Sequence, residues 1–424
     1  MRPIANAIRT SLAALLLVLP VIGPKFALAA TDLATAVRDS DHAAVDTLLG
    51  QEAARDDINA HGYGGMTPLL WAVLADDLAL AGKLLVAGAD ANLGNRYGIF
   101  PLWLAATNRS AAMTSLLLEH GADSTMGLPH GETALMAAAR AGDADTIRLL
   151  LDAGADPNAR EATLGETALI WAAAENHPAA IAALIAGGAD PDLASSPLDL
   201  APMDWVQIGM VSTVLPVGGW TPLMTAARQN SADAAAALVA GGADLDRQDP
   251  DGTTALVVAI INRHYDLAAA LLEAGADPDV ADRTGMTALY AAVDIASLGP
   301  DIGLPPRPRH DTLQAIDIVR IALEHGADPN ARLASAVIGR HHGLGDFALG
   351  EGATALMRAA KSNDTSSMRL LLDAGADPGL QMANGQTVFD IVERGRGGPI
   401  EEAAALLREY AGESVGGGAG RAAN

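Results

Sequence analysis

Not one of the 424 residues is a cysteine. That excludes disulfides, a lipid-modified N-terminal anchor, a thiol nucleophile and any zinc site of the cysteine-rich kinds. Aromatic residues make up only 3% of the chain, so each of the five tryptophans becomes worth locating. Basic residues are scarce as well, 27 against 51 acidic ones, for a net charge of −24. So acidic a surface repels nucleic acid, whose recognition rests on basic patches. It repels anionic lipid for the same reason. Acidity of this kind serves solubility first, with attraction of a basic partner as the functional alternative.

Long apolar runs are missing except near the start. Arg2 and Arg9 precede an apolar stretch from Leu12 to Ile22, and Ala27-Leu28-Ala29 carries small residues at the spacing signal peptidase prefers. The stretch is shorter than the roughly 20 apolar residues that span a bilayer. Pro20, Pro24 and Lys25 shorten it further. Residues 1–29 read as an export signal, with no membrane insertion after its removal. Cleavage takes away three basic residues and no acid, which leaves a mature charge of −27.

What the chain does have is repetition. Nine short phrases open helices, at Thr67, Phe100, Thr133, Thr167, Thr221, Thr254, Thr287, Thr354 and Thr387. Eight Gly-Ala-Asp phrases close them, with glycines at Gly88, Gly121, Gly154, Gly188, Gly242, Gly275, Gly326 and Gly375. Most steps are 33 residues, and self-similarity at that period marks stacked repeats and not one globular core. The phrases have physical reasons. Thr67 can cap the helix it starts, and Pro68 lacks an N–H that would be unpaired there anyway. Paired aliphatics such as Leu84-Leu85, Leu117-Leu118 and Leu150-Leu151 mark a second helix. The glycine that follows suits a left-handed cap.

Thr67-Pro68-Leu69 near the start of a unit and Gly-Ala-Asp at its end resemble the ankyrin repeat, over roughly residues 32 to 410. The resemblance implies an all-α solenoid of helix–turn–helix units joined by hairpin loops, occupying residues 30–411. It also implies a surface that binds another protein. About ten units are expected. Leu33 to Asn59 is a degenerate N-terminal cap, and Thr387 opens a C-terminal cap with a polar outer face carrying Glu393, Arg394, Glu401, Glu402, Arg408 and Glu409. Residues 412–424 read as a flexible, glycine-rich tail. One departure stands out: the family's histidine after T-P-L is replaced by Leu70, Trp103, Met136, Ile170, Met224, Val257, Tyr290 and Met357. Apolar packing is therefore expected to hold the units more than the family's usual polar network does.

Three insertions break the step. Leu193 to Trp220 carries about 21 extra residues, rich in β-branched types, and reads as a lengthened hairpin. Thr287 to Gly326 takes 39 residues where every other copy takes 21. Ala331 to Gly352 holds Arg340-His341-His342 with Asp346, Phe347 and Glu351. In such stacks insertions map to loops, often on the binding face. Trp205, Ile208, Met210, Arg340, His341 and His342 are candidate protein-binding residues on that ground.

Chemistry is harder to find. His341, His342, Asp346 and Glu351 invite a metal reading, but no spaced third histidine supports it. The run Asp244 to Gly252 faintly resembles a calcium loop, yet its twelfth position is Ala255 where a bidentate Glu is needed. His120 and His325 precede capping glycines and complement helix C-termini. No catalytic frame appears, and no metal or cofactor is implied. A metal-dependent enzyme built on the inserts is the minor alternative.

On a helical wheel Trp71 lies at about 200° from the core-facing Leu69. With Leu104 and Trp171 it forms an apolar stripe on the inner curve, to be read either as interface anchors or as rings lying flat along the next helix. The function expected is an exported, periplasmic, non-enzymatic protein-binding scaffold, with a secreted factor acting on a host or competitor protein as the alternative. Export should cut the chain after Ala29 or Ala30. Intact-mass measurement of exported protein checks this, and a mature chain that keeps Leu15 to Leu17 contradicts it.

Overall fold

The computed structural model describes residues 32–51, 57–197, 218–297, 311–335, 349–394 and 400–416. Among them twenty α-helices form ten pairs and no sheet. The first helices are Leu33–Arg38, Pro68–Leu74, Pro101–Thr107, Ala134–Ala141, Ala168–Ala174, Pro222–Gln229, Ala255–Ile261, Ala288–Ala296, Ala355–Lys361 and Val388–Glu393. Their partners are His42–Leu49, Leu78–Val86, Ala111–Glu119, Ala144–Asp152, Pro178–Ala186, Ala232–Ala240, Tyr265–Glu273, Ala315–Glu324, Thr365–Asp373 and Glu401–Gly416. Ten units are what the repeat spacing predicts.

Eight of the ten first helices start at a threonine, and Leu33–Arg38 starts at Asp32, whose side chain accepts the Thr35 N–H. The Thr67 hydroxyl accepts the Leu70 N–H at 3.2 Å, and the same contact recurs at Thr133, Thr167, Thr221, Thr254, Thr287, Thr354 and Thr387. Phe100 makes no such bond and is buried instead, so apolar packing replaces the cap in that unit. Many second helices use a carboxylate for the same purpose, as where Asp77 accepts the Leu80 N–H at 2.9 Å.

Packing follows from composition. Pro68, Leu69, Leu70, Ala72 and Val73 are all buried, which leaves the helix apolar nearly all round. Such a helix must be covered on every side. Leu33–Arg38 and Pro101–Thr107 pack on its two flanks, and Leu78–Val86 lies behind it. Ala72, Ala105, Ala139 and Ala173 are fully buried at these contacts, where small side chains let the helices approach closely. Behind them Leu84, Leu117, Leu150, Leu184 and Leu238 have no exposed surface. Burial of each contributes roughly 1.5–3 kcal/mol. The insertions do not interrupt the stack: Ala168–Ala174 packs on Pro222–Gln229, and Ala288–Ala296 packs on both Ala315–Glu324 and Ala355–Lys361.

The positions that lack the family histidine are buried and apolar, as expected. The polar network is not lost, however; it is moved. Histidines at the start of second helices reach back one unit, His177 Nε2 to the Arg140 carbonyl at 3.1 Å and His264 Nδ1 to the Ala227 carbonyl at 2.7 Å. A second polar link runs along the closing turns. The backbone N–H of the aspartate in Gly-Ala-Asp donates to a side-chain oxygen of the preceding turn at Asn59, Asn92, Asn158, Asp192, Asp246, Asp279 and Asn330, at 2.7–2.9 Å.

The ends match the cap reading. Val37 and Val45 are fully buried in the first unit, while Glu393, Arg394, Glu401, Glu402, Arg408 and Glu409 are exposed in the last. The final helix runs to Gly416, past the Gly412 boundary drawn from the sequence. Extending an existing helix costs little per residue.

Gly154 lies at φ +91° with open space where a Cβ would go, so backbone strain alone forbids other residues. Gly154→Val is expected to cost roughly 1–3 kcal/mol in a denaturant melt. Gly375→Val, one unit from the end, should cost less, because fewer neighbours depend on it. Equal losses would contradict nearest-neighbour coupling.

Candidate protein-binding surface

Two positions on each first helix build the inner curve, four and seven residues after the opening residue. The nearer set is Trp71, Leu104, Ala137, Trp171, Thr225, Val258, Ala291 and Arg358; the farther set is Leu74, Thr107, Arg140, Ala174, Arg228, Ile261, Asp294 and Lys361. Two contacts give their relation. The Arg140 guanidinium lies 4.9 Å from the centre of the Trp171 ring, and Arg358 Nε donates to Asp294 Oδ1 at 2.5 Å. In both, the farther position of one unit covers the nearer position of the next.

That relation corrects the helical-wheel reading of an exposed stripe. Leu104 is 3% exposed and its counterparts Ala137, Thr225, Val258, Ala291 and Arg358 are buried too. Only Trp71 and Trp171 keep part of their surface in solvent. The wheel places a residue relative to its own partner helix and ignores the neighbouring units, which close over this side. Trp171 shows how: Arg140 stacks on its face and its Nε1 donates to Glu166 Oε2 at 2.8 Å. The ring lies along the neighbour and still presents an edge.

A polar line joins these groups. Trp103 Nε1 and Arg140 Nη2 both donate to Glu132 Oε1, at 3.1 and 3.2 Å. Farther along, Arg228 lies 4.3 Å over the Trp220 ring. The middle of the inner curve thus alternates indole, guanidinium and carboxylate, with each charge already engaged. Toward the C-terminal end the line becomes a buried ion pair, Arg358 with Asp294, both side chains 6% exposed. Tyr290 beside them has its hydroxyl pushed far above the ordinary tyrosine range by burial, reinforced by the Asp294 charge.

The hairpin tips edge this curve. Tyr63 and Tyr97 stand exposed at adjacent tips, 79% and 60%, and Arg96 lies 4.7 Å over the Tyr97 ring. Sequence reasoning passed over both tyrosines. Their signal was a bulky residue next to the tip glycine, where the repeat needs none.

Of the loop candidates, Trp205, Ile208, Met210, Arg340, His341 and His342 lie outside the described residues. The roots of their loops are described. Ser195 N–H donates to the Trp220 carbonyl at 3.0 Å, and Leu333 N–H to the Ala353 carbonyl at 2.9 Å. Both loops therefore leave from closed hairpin bases, beside the inner curve. The insertion after Ser297 instead lies between the two helices of one unit, Ala288–Ala296 and Ala315–Glu324. An open cleft of about 690 Å³ lies at the root of the first insertion, lined by Arg160, Asp192, Ser195, Arg247, Gln248 and Asp249 among others.

The aspartates of the calcium-like run have other work. Asp249 Oδ1 accepts the N–H groups of Asp251 and Thr253 at 2.9 and 2.8 Å, and Asp244 Oδ1 accepts that of Asp246. These are turn-forming bonds. Among the described residues no three acidic or histidine side chains converge as ligands. His120 and His325 meet the carbonyls of Leu116 and Ile321, each at 2.9 Å, the helix-end role expected of them. No described helix is long and apolar enough to cross a membrane.

A model of three successive ankyrin repeats matches residues 33–127, 69–161, 125–195, 200–282 and 223–298, and a single-repeat model matches 351–382. The chain belongs to the ankyrin repeat family. Members of the family are generally non-catalytic and generally mediate protein–protein binding. An ankyrin repeat domain from Acinetobacter baumannii AYE, solved at 1.00 Å, is 28% identical over 50% of this chain and 98% of its own, with a TM-score of 0.41. No curated protein matches the chain.

The buried ion pair gives a direct test of this ankyrin stack. Asp294→Ala leaves Arg358 buried without its partner and should cost about 3–5 kcal/mol. Joint replacement by Asp294→Leu and Arg358→Met should recover most of the loss. Denaturant melts decide it; a cost below about 1 kcal/mol for Asp294→Ala would contradict the placement.

Proposed function

We propose that this ankyrin protein is an exported, periplasmic scaffold without enzymatic activity, which grips a partner protein between its inner curve and its hairpin edge. The observation that carries the reading is the place where the repeat is broken. Two of the three insertions arise from hairpin bases beside the inner curve, at Ser195–Trp220 and Leu333–Ala353. The same edge carries Tyr63 and Tyr97, exposed in a chain with only 3% aromatic residues. Tyrosine, tryptophan and arginine are the usual anchors of interfaces. Trp71 and Trp171 add partly open indoles to that surface. Export rests on the leader-like residues 1–29.

Within this reading Trp205, Ile208 and Met210 serve recognition, together with Arg340, His341 and His342 of the third insertion. The test uses mature protein as bait in a periplasmic extract, with Trp205→Ala alongside. Trp205→Ala should weaken capture of the same partner by about 2 kcal/mol or more and leave the melting temperature nearly unchanged. A lowered melting temperature with undiminished capture would overturn the assignment and leave the insertion as a brace.

A further inference from the structure

The closing turns hold a difference between asparagine and aspartate that the repeat pattern does not require. In each linked turn a side-chain oxygen accepts the N–H of the next unit's Gly-Ala-Asp aspartate. At three of the four linked asparagines the amide also donates to the carbonyl of the glycine two residues earlier in that phrase; Asn59, in the first unit, makes the accepting bond alone. Asn92 Nδ2 reaches the Gly121 carbonyl at 3.0 Å, Asn158 Nδ2 that of Gly188 at 3.1 Å, and Asn330 Nδ2 that of Gly375 at 3.1 Å. The same side chains accept from Asp123, Asp190 and Asp377. Asn92, Asn158 and Asn330 thus each close a two-bond clasp between units.

Asp192, Asp246 and Asp279 occupy the same position and make the accepting half alone. Asp246 and Asp279, in the C-terminal half, are crowded by further carboxylates, Asp244 and Asp277 around the first and Asp277 and Asp328 around the second. Asp246 Oδ1 takes the Asp277 N–H at 2.9 Å, and Asp279 Oδ1 takes the Asp328 N–H at 2.8 Å. By the geometry of the asparagine turns, the second carboxylate oxygen then faces the carbonyl of Gly275 or Gly326. Two oxygen acceptors in contact repel unless one carries a proton. We propose that Asp246 and Asp279 are acid-operated clasps: protonation turns the idle oxygen into a donor, completes the two-bond link, and tightens the C-terminal half of the stack.

The surroundings support the direction. Burial pushes the Asp246 carboxyl above its ordinary value, and the neighbouring charges of Asp277 and Asp244 push the same way. Burial likewise raises Asp279, helped by Asp277 and Asp328. The accepted N–H bonds oppose this without cancelling it. A carboxyl raised in the folded state binds its proton more readily there than in the unfolded chain. Stability from these two groups is therefore gained as pH falls through their folded values, and it is complete below the ordinary carboxylate range.

The experiment compares thermal melts across pH 4 to 8 for the wild type, the double variant Asp246→Asn with Asp279→Asn, the reverse change Asn158→Asp, and the charge control Glu273→Gln, exposed at the end of an outer helix. The double variant should melt roughly 2–4 °C higher than wild type at neutral pH, with the gap closing as the pH is lowered. Asn158→Asp should show the mirror image, a loss at neutral pH that is recovered in acid. Glu273→Gln should do neither. Equal melting of the double variant and wild type at neutral pH, a gap that does not change with pH, or the same behaviour from Glu273→Gln would each overturn the proposal.

Discussion

The first helices of this chain are short and apolar on nearly every side, so none is stable until other helices cover both of its flanks. Leu69, Leu135, Leu169, Leu223 and Leu256 have almost no exposed surface, yet each sits in a unit too small to bury it alone. Stacking solves the problem by making each unit the wall of the next. The cost falls on the two ends, where Leu33–Arg38 and Val388–Glu393 have a neighbour on one side only. That is why the terminal units carry charge on their outer faces, as with Glu401 and Glu402.

Apolar contact alone would let neighbouring units slide or rotate, since it has no direction. Directed bonds supply the register at three places. Closing turns are linked through Asn59, Asn92, Asn158, Asp192, Asp246, Asp279 and Asn330. His177 and His264 fasten second helices to the carbonyl of the unit before. Arg140 on Trp171 and Arg358 on Asp294 fix the inner curve. A surface held at so many points is preorganised, and a partner that binds it loses little to ordering the scaffold.

The fold was legible because the features that carry it are local: a threonine that caps, a glycine at positive φ, aliphatic pairs at fixed spacing. The inner curve was legible only in part. Trp71 and Trp171 could be found on a helical wheel, but burial of Leu104 depends on the unit before it, and a wheel holds one helix. The Asp294–Arg358 pair spans 64 residues and the lengthened unit between them, so no spacing rule connects the two. The turn links were hidden for another reason. Asparagine and aspartate after Gly-Ala-Asp read as ordinary turn formers, and their second bond becomes visible only when the neighbouring unit is in place.

The claim that the units are tied to one another turn by turn is tested most directly by native-state hydrogen exchange. Asp90, Asp277 and Asp328 are exposed residues whose amides donate to the turn before them. The account predicts that these amides exchange slowly, at rates that track the opening of the adjacent first helices. Exchange as fast as in an unstructured chain, while the helices stay protected, would contradict it.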